Sequence, residues 1–189
     1  MKDIALGLDP GERNFGYAVV SHKPLRILEV GQIDDTIRNL THKPQRPPKS
    51  RRKKEENAPP LTEAMTAFNR VLRGIFTEYG PDGVYSERFQ ARGTKSRSIE
   101  TVSFMNGVIA FRCRLSKIYF STFIAGTWKN AFNRHESLDA MYEVGKKMGF
   151  SPHEVDATCI ALTKGGTIPP PSIAIMTKLF DKVRQKQCQ

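Results

Sequence analysis

Three acidic residues of this chain fall at the ends of predicted strands and helices, where a carboxylate can be held in place and still reach solvent. Asp9 ends a short apolar run, I-A-L-G-L-D, which is typical of a central strand buried on both faces. Glu87 ends a second predicted strand, and Asp156 lies in the first turns of a predicted helix. His153 precedes Asp156 by three residues, so the two side chains share one helix face. The four residues together predict a site for hard divalent cations.

The donor types indicate which cations and which chemistry. Mg²⁺ prefers oxygen ligands and is typically held by a few carboxylates together with substrate phosphate. A histidine among oxygen ligands suits Mn²⁺ better. In a site with two ions, one can activate a water and the other can stabilise the leaving oxygen of a phosphodiester. We therefore predict two Mg²⁺ or Mn²⁺ ions bound by the four residues, with His153 alternatively orienting or deprotonating the water.

Each of these residues also has an ordinary interpretation. Asp9 begins an Asp-Pro-Gly turn and could simply bond its own backbone. His153 could be an exposed residue at the start of a helix. Glu154 is already explained, because Ser151, Pro152 and Glu154 form the helix start S-P-x-E, with Ser151 as N-cap and Glu154 completing a capping box.

The elements that must position the acids follow from hydrophobic periodicity. The first three strands predict an antiparallel meander, and a long helix then leads to the strand ending at Glu87. A strand, a helix and another strand predict a crossover, which brings Glu87 beside Asp9 if the two strands are neighbours. Thr127 is the predicted cap of a short helix, and Trp128 is a predicted core anchor. Strands are predicted at 4–9, 15–20, 25–33, 82–87 and 117–124, and helices at 61–79, 98–116, 126–133, 137–148, 150–162 and 173–183.

Charge defines the class of partner. The chain has 189 residues, which is one domain by length, and a formal net charge of +11, which favours nucleic acid first and an anionic membrane surface second. Residues 38–60 are basic and proline-rich, which predicts a flexible loop that contacts phosphates, although a solvated linker or a localisation signal is also compatible. A second basic stretch follows Glu87. Candidate DNA ligands in these two stretches are Arg51, Arg52, Lys53, Lys54, Arg88, Arg92, Lys95 and Arg97.

Cysteine usage and hydropathy indicate the compartment. Cys113, Cys159 and Cys188 are widely spaced, which suggests neither a disulfide framework nor a zinc site, and the first two are predicted core residues. No run approaches about 18 apolar residues, so we expect no membrane association. We expect a soluble cytoplasmic protein of a bacterial cell or a virus-infected host cell, not a secreted one.

Four motifs resemble the RuvC family of Holliday-junction resolvases, in the ribonuclease-H-like superfamily. They are G-L-D-P-G-E-R-N-F-G-Y-A-V at 7–19, V-Y-S-E-R-F at 84–89, W-K at 128–129 and H-E-V-D-A-T-C-I-A-L at 153–162. The resemblance covers about residues 1–165. It implies an α/β ribonuclease-H-like fold over 1–168, with a five-stranded mixed sheet flanked by helices and a C-terminal tail or short helix at 169–189.

The resemblance also implies a function. Such enzymes are metal-dependent endonucleases that act as homodimers and nick a four-way junction symmetrically. By position, Asp9 matches the acid shared by both ions, Glu87 the ligand on the second strand, and His153 with Asp156 the pair on the last helix. Lys129 matches a phosphate-binding lysine of the family.

Departures from the family pattern leave room for a divergent or virus-encoded relative that cuts other branched or flap DNA. The junction wedge of the family is a phenylalanine three residues after the second acid, whereas Phe89, which is also a DNA-binding candidate, comes two residues after Glu87. The family has a glycine-rich turn where this chain has N-R-H-E at 133–136. Arg134 in this segment is a further DNA-binding candidate.

Two other classes compete with this interpretation. Actin-like ATPases open with a similar strand, acid and glycine turn, but they need about twice this length and a second phosphate loop, so we expect no nucleotide cofactor. A non-catalytic nucleic-acid-binding module would account for the charge and leave the acids at the strand ends without a role.

Overall fold

The computed structural model describes residues 3–10, 15–33, 61–88 and 96–187. The predicted basic loop at 38–60 therefore lies outside the described residues. The described ranges contain every element that carries the four candidate metal ligands.

A five-stranded mixed sheet, in the order β3-β2-β1-β4-β5, forms the centre of the fold. The first three strands are antiparallel, whereas β1 pairs with β4 and β4 pairs with β5 in parallel. The predicted meander and the predicted crossover from the first hairpin to β4 are both confirmed. The strands are β1 (Ile4–Asp9), β2 (Gly16–His22), β3 (Leu25–Gln32), β4 (Gly83–Glu87) and β5 (Tyr119–Phe123).

Helices cover both faces of the sheet. The first two pack against one face, and the last four pack on or around the other, so the described chain has three layers with two hydrophobic cores. The helices are α1 (Leu61–Tyr79), α2 (Ser96–Ser116), α3 (Ala125–Asn133), α4 (Leu138–Lys147), α5 (Pro152–Thr163) and α6 (Ile173–Gln187).

The prediction for the start of α3 was wrong. The helix begins at Ala125, and the residue in the N-cap position is Ile124, whose side chain cannot cap the helix. Thr127 lies inside the first turn instead. Its backbone N–H donates to the carbonyl of Ile124, so the backbone itself closes the turn that Thr127 was expected to cap.

Two smaller predictions concern cysteines and membranes. Cys113 and Cys159 are buried and unpaired, as expected for small core residues. Within the described ranges, no helix has the length and apolar content that crossing a bilayer requires.

All six residues of β1 are buried, as the predicted central strand requires. Alternate residues along a strand point to opposite faces. Ile4, Leu6 and Leu8 therefore contribute to the core formed with α1 and α2. Asp9 points to the other face, towards α5.

Glycine lets α5 lie directly on the sheet. A Cβ at Gly7 would come within 2.2 Å of the carbonyl oxygen of Ala157, and one at Gly16 within 2.2 Å of the carbonyl oxygen of His153. Any side chain at either position would therefore push the helix away. Because Gly16 pairs with Asp9 across the β1–β2 ladder, this close approach brings the first turn of α5 over Asp9.

We predict that Gly7→Ala lowers the free energy of unfolding by about 1–3 kcal/mol, the usual cost of overpacking a core. Gly74→Ala is the matched control, because a Cβ at Gly74 has no atom within 4 Å and the helix gains about 0.5–1 kcal/mol from the change. Urea denaturation measures both. A Gly7→Ala protein as stable as the wild type would show that α5 and β1 are not in tight contact.

Candidate active site

Asp9 and Glu87 end two neighbouring parallel strands at the same edge of the sheet. Leu8 is paired with Ser86, so the next residue on each strand lies side by side. The Ser86 hydroxyl donates to Asn106 Oδ1 on α2, at 2.8 Å. The Ser86 side chain therefore lies on the face of the sheet that α2 covers. Glu87 therefore points to the opposite face, as Asp9 does. The prediction that the two acids meet at one sheet edge is consistent with this register.

α5 adds the histidine and the third acid. Its start is the predicted capping box, with the Ser151 side chain accepting from the backbone of Glu154 and the Glu154 side chain accepting from the backbone of Ser151. His153 Nδ1 lies 2.7 Å from Asp9 Oδ2. An ionised carboxylate can only accept, so Nδ1 is the donor when it bonds the ionised Asp9.

Asp156 accepts hydrogen bonds from two neighbouring helices. Lys129 on α3 donates to Asp156 Oδ2 at 3.2 Å, and the Tyr142 hydroxyl on α4 donates to Oδ1. The Lys129 ammonium also lies 5.0 Å from the centre of the Trp128 ring, within the range of a cation–π contact. Both oxygens of Asp156 are thus engaged by the protein.

Glu87 accepts from a buried tryptophan. The Trp128 indole N–H donates to Glu87 Oε2 at 2.9 Å, and Trp128 is fully buried. The predicted role of Trp128 as a core anchor is therefore correct but incomplete, because its polar edge also contacts the candidate site. A buried indole N–H normally finds an acceptor, and that rule is the sequence signal that would have linked Trp128 to an acid.

The acids influence one another electrostatically. Burial raises the pKa of Glu87 above its usual value, the bond from Trp128 opposes this shift, and the charges of Asp9 and Asp156 add to it. Burial likewise raises the pKa of Asp156, against the bonds from Tyr142 and Lys129, and the charge of Asp9 adds to the rise. The three carboxylates are thus close enough to repel one another, and a cation among them would relieve that repulsion.

The donor set matches a hard divalent ion by residue type, with three carboxylates and one imidazole. The carboxylates are nevertheless occupied by protein donors. Within the described part of the chain, no three acidic, histidine or cysteine side chains stand in position to ligate one ion together. An ion held by several of these side chains would therefore require them to move, and an ion on Asp156 Oδ2 would also have to displace Lys129.

The predicted DNA-binding residues are distributed unevenly around these acids. Arg88 follows Glu87 at the same sheet edge with an exposed side chain, and Lys129 lies at the site itself. Arg134 is exposed at the C-terminal end of α3, and Arg97 lies in the first turn of α2. The remaining candidates lie outside the described residues: Arg51, Arg52, Lys53, Lys54, Phe89, Arg92 and Lys95.

Tyr142 is a residue of this site that no sequence pattern identifies. It lies in the middle of α4, where its ring is half-buried and its spacing is that of an ordinary core-facing position. Burial and the bond to Asp156 raise the pKa of its hydroxyl, so the group stays protonated and donates. Only the packing of α4 beside α5 brings it to Asp156.

No protein-family model and no curated protein sequence matches this chain. Solved structures do. Thermus thermophilus RuvC in complex with a Holliday junction substrate aligns with a TM-score of 0.60 and 17% identity, over 87% of this chain and 93% of that one. A second Thermus thermophilus RuvC structure aligns with a TM-score of 0.60 and 18% identity, over 86% and 93%. The ribonuclease-H-like fold predicted from the four motifs is confirmed.

We predict that Glu87→Gln raises the melting temperature in metal-free buffer at neutral pH. The folded-state pKa of Glu87 lies above its usual value of 4.5, so its ionised form lowers the free energy of unfolding as pH rises through that pKa. Glutamine removes the charge, and its carbonyl can still accept from Trp128. The gain should be largest near pH 7–8 and disappear below the unfolded pKa.

The control for this experiment is Glu143→Gln, which changes an exposed glutamate on α4 and should leave the melting temperature unaltered. A Glu87→Gln protein that melts below the wild type at pH 7 would contradict the electrostatic account of the site.

Proposed function

We propose that this chain is a divalent-metal-dependent endonuclease that resolves four-way DNA junctions. One observation carries the proposal: three carboxylates and a histidine, remote in sequence, gather at one edge of a sheet that has the fold of RuvC. One of the similar RuvC structures is bound to a Holliday junction substrate. The charge of +11 supports a polyanionic substrate.

Asp9, Glu87, His153 and Asp156 are the proposed ligands of Mg²⁺ or Mn²⁺, with two ions in the site. When bound, the ions supply an activated water and stabilise the leaving oxygen of the phosphodiester. The protein's part is to hold the ligands at one sheet edge, which the short contact between β1 and α5 supports.

Lys129 has a second proposed role at the scissile phosphate. Its ammonium occupies Asp156 Oδ2, the same atom that an ion on Asp156 would use. An ion held there would take the place of the ammonium, and the Lys129 side chain, which is 35% exposed, would then be available to a phosphate oxygen. With Nδ1 donating to Asp9, Nε2 of His153 would be the atom that binds an ion or accepts a proton from water.

DNA affinity is proposed to come from separate residues. Arg88 stands beside Glu87, and the basic stretches at 38–60 and 88–98 supply phosphate contacts that carry no sequence information. Catalysis and binding should therefore be separable by mutation.

A homodimer is the proposed active form, because two symmetric cuts require two active sites. Helix α2 supports a dimer because it has two apolar faces. Its inner face is buried in the core, whereas Phe104, Phe111 and Leu115 are 47%, 65% and 59% exposed along an outer stripe at helical spacing. Apolar area of this kind typically marks an interface, and a two-fold axis beside α2 would let the same stripe of each chain cover its copy.

We predict that Asp9→Asn lowers the cleavage rate of a synthetic four-way junction by roughly a thousandfold or more, because the variant loses a ligand of the catalytic ions. Junction affinity should stay within about twofold, since the phosphate contacts are elsewhere. The measurement is single-turnover cleavage with Mg²⁺ or Mn²⁺, alongside a binding titration without divalent metal.

Asp181→Asn, at an exposed acid on α6, is the matched control and should cut like the wild type. Comparable cutting of flaps and linear duplex by the wild type would favour a less selective branched-DNA nuclease. A wild-type protein that binds junctions and never cuts them would leave only the non-catalytic binding module.

Phe111→Glu should convert the dimer to a monomer, because each chain would bury an unpaired carboxylate in the proposed interface. Ile175→Glu, at an apolar side chain 46% exposed on α6, should leave the dimer intact. Sedimentation equilibrium gives the mass of each protein. A dimer that survives Phe111→Glu at unchanged affinity would place the interface on another face.

A further inference from the structure

Two of the proposed metal ligands accept hydrogen bonds from neutral aromatic side chains that are not themselves proposed ligands. The Trp128 N–H donates to Glu87 Oε2 at 2.9 Å, and the Tyr142 O–H donates to Asp156 Oδ1. The two donors come from different helices, α3 and α4, and meet two acids from different elements, β4 and α5. Each bond therefore ties an acid to a layer of the fold outside its own element.

Packing fixes the direction of the tryptophan donor. Trp128 is fully buried in the same core as Phe132, so packed side chains surround its ring. An indole held in this way has little freedom to turn, so its N–H points along one line. The glutamate that accepts from it is only partly exposed and takes its orientation from that line.

A neutral donor differs from a cation in what it does to a metal ligand. Lys129 bonds Asp156 and offsets its charge, so an ion must displace the ammonium from Oδ2. Trp128 and Tyr142 orient their carboxylates without neutralising them, and each bond uses one oxygen only. Hydrogen-bond partners of this kind behind metal ligands commonly contribute tenfold to hundredfold to metal affinity or activity.

We propose that Trp128 and Tyr142 are positioning residues, which orient Glu87 and Asp156 so that these carboxylates bind a divalent cation. The inference rests on the proposed function for the role of that cation. Neither residue contacts the substrate in this account, so substrate affinity should not depend on them.

The test removes each donor and keeps the ring. Trp128→Phe and Tyr142→Phe should each weaken Mn²⁺ binding about tenfold or more. At low metal the cleavage rate should fall by a similar factor, whereas at high Mn²⁺ most of it should return and junction affinity should be unchanged. A purely structural role would lower the melting temperature and leave the metal dependence as in the wild type.

Trp128 itself supplies a readout that does not need catalysis. It is the only tryptophan of the chain, so its fluorescence reports directly on the surroundings of Glu87. Mn²⁺ should quench the wild-type emission, and the midpoint should shift to higher Mn²⁺ in Tyr142→Phe. For Trp128→Phe, thermal stabilisation by Mn²⁺ gives the corresponding midpoint.

Tyr17→Phe is the matched control. Tyr17 likewise donates its hydroxyl to a carboxylate, Glu29, at 2.6 Å, but its side chain packs against the core on the face of the sheet opposite Asp9. Its loss should leave the Mn²⁺ midpoint unchanged. If Trp128→Phe does not fold, Tyr142→Phe alone decides.

Wild-type metal midpoints in both folded variants would overturn the positioning role. A wild-type protein that binds Mn²⁺ in this way but cuts no DNA would overturn the proposed function and leave the positioning role standing.

Discussion

The close contact between β1 and the start of α5 is the constraint on which the rest of the site depends. Neither Gly7 nor Gly16 has a side chain, so the helix backbone lies directly on the strands, and His153 reaches Asp9 at hydrogen-bond distance. Asp156 follows one turn later on the same helix. A larger residue at either glycine would separate the helix acid from the strand acids, and no arrangement of the outer helices would restore the cluster.

Around that contact, the site brings together carboxylates whose ionised forms lower the stability of the folded chain. Glu87 and Asp156 have raised pKa values, mainly because burial penalises their ionised forms, and the charge of Asp9 raises both further. The hydrophobic cores on the two faces of the sheet supply the stability that offsets this cost. Strained or repulsive groups of this kind are a common signature of functional sites, where activity rather than stability decides the residue.

The parts of the structure that depend on local pattern were predictable from sequence. The apolar run before Asp9, the crossover to β4 and the capping box at Ser151 all follow from spacing and residue type, and all are present. The end of a buried strand is a position that spacing can identify, and the register of β1 with β4 places the strand ends at Asp9 and Glu87 side by side.

What failed or was missed depends on contacts between elements. Thr127 has a good capping side chain, yet α3 begins two residues earlier, because the backbone turn at Ile124 starts the helix without a side-chain cap. Tyr142 has the spacing of a core residue, and only the arrangement of α4 beside α5 turns its hydroxyl to Asp156. The exposed stripe on α2, formed by Phe104, Phe111 and Leu115, could not be identified from the sequence either. Both faces of that helix are apolar, so periodicity does not tell the buried face from the open one.

The central claim is that Asp9, Glu87, His153 and Asp156 form one divalent-cation site. Anomalous diffraction from crystals soaked in Mn²⁺ tests it most directly, because the signal locates the ion without reference to activity. We expect a strong peak within ligand distance of the Asp9 carboxylate, shared with at least one of the other three side chains. A peak only at surface acids elsewhere, or none at a concentration that supports cleavage, would contradict it.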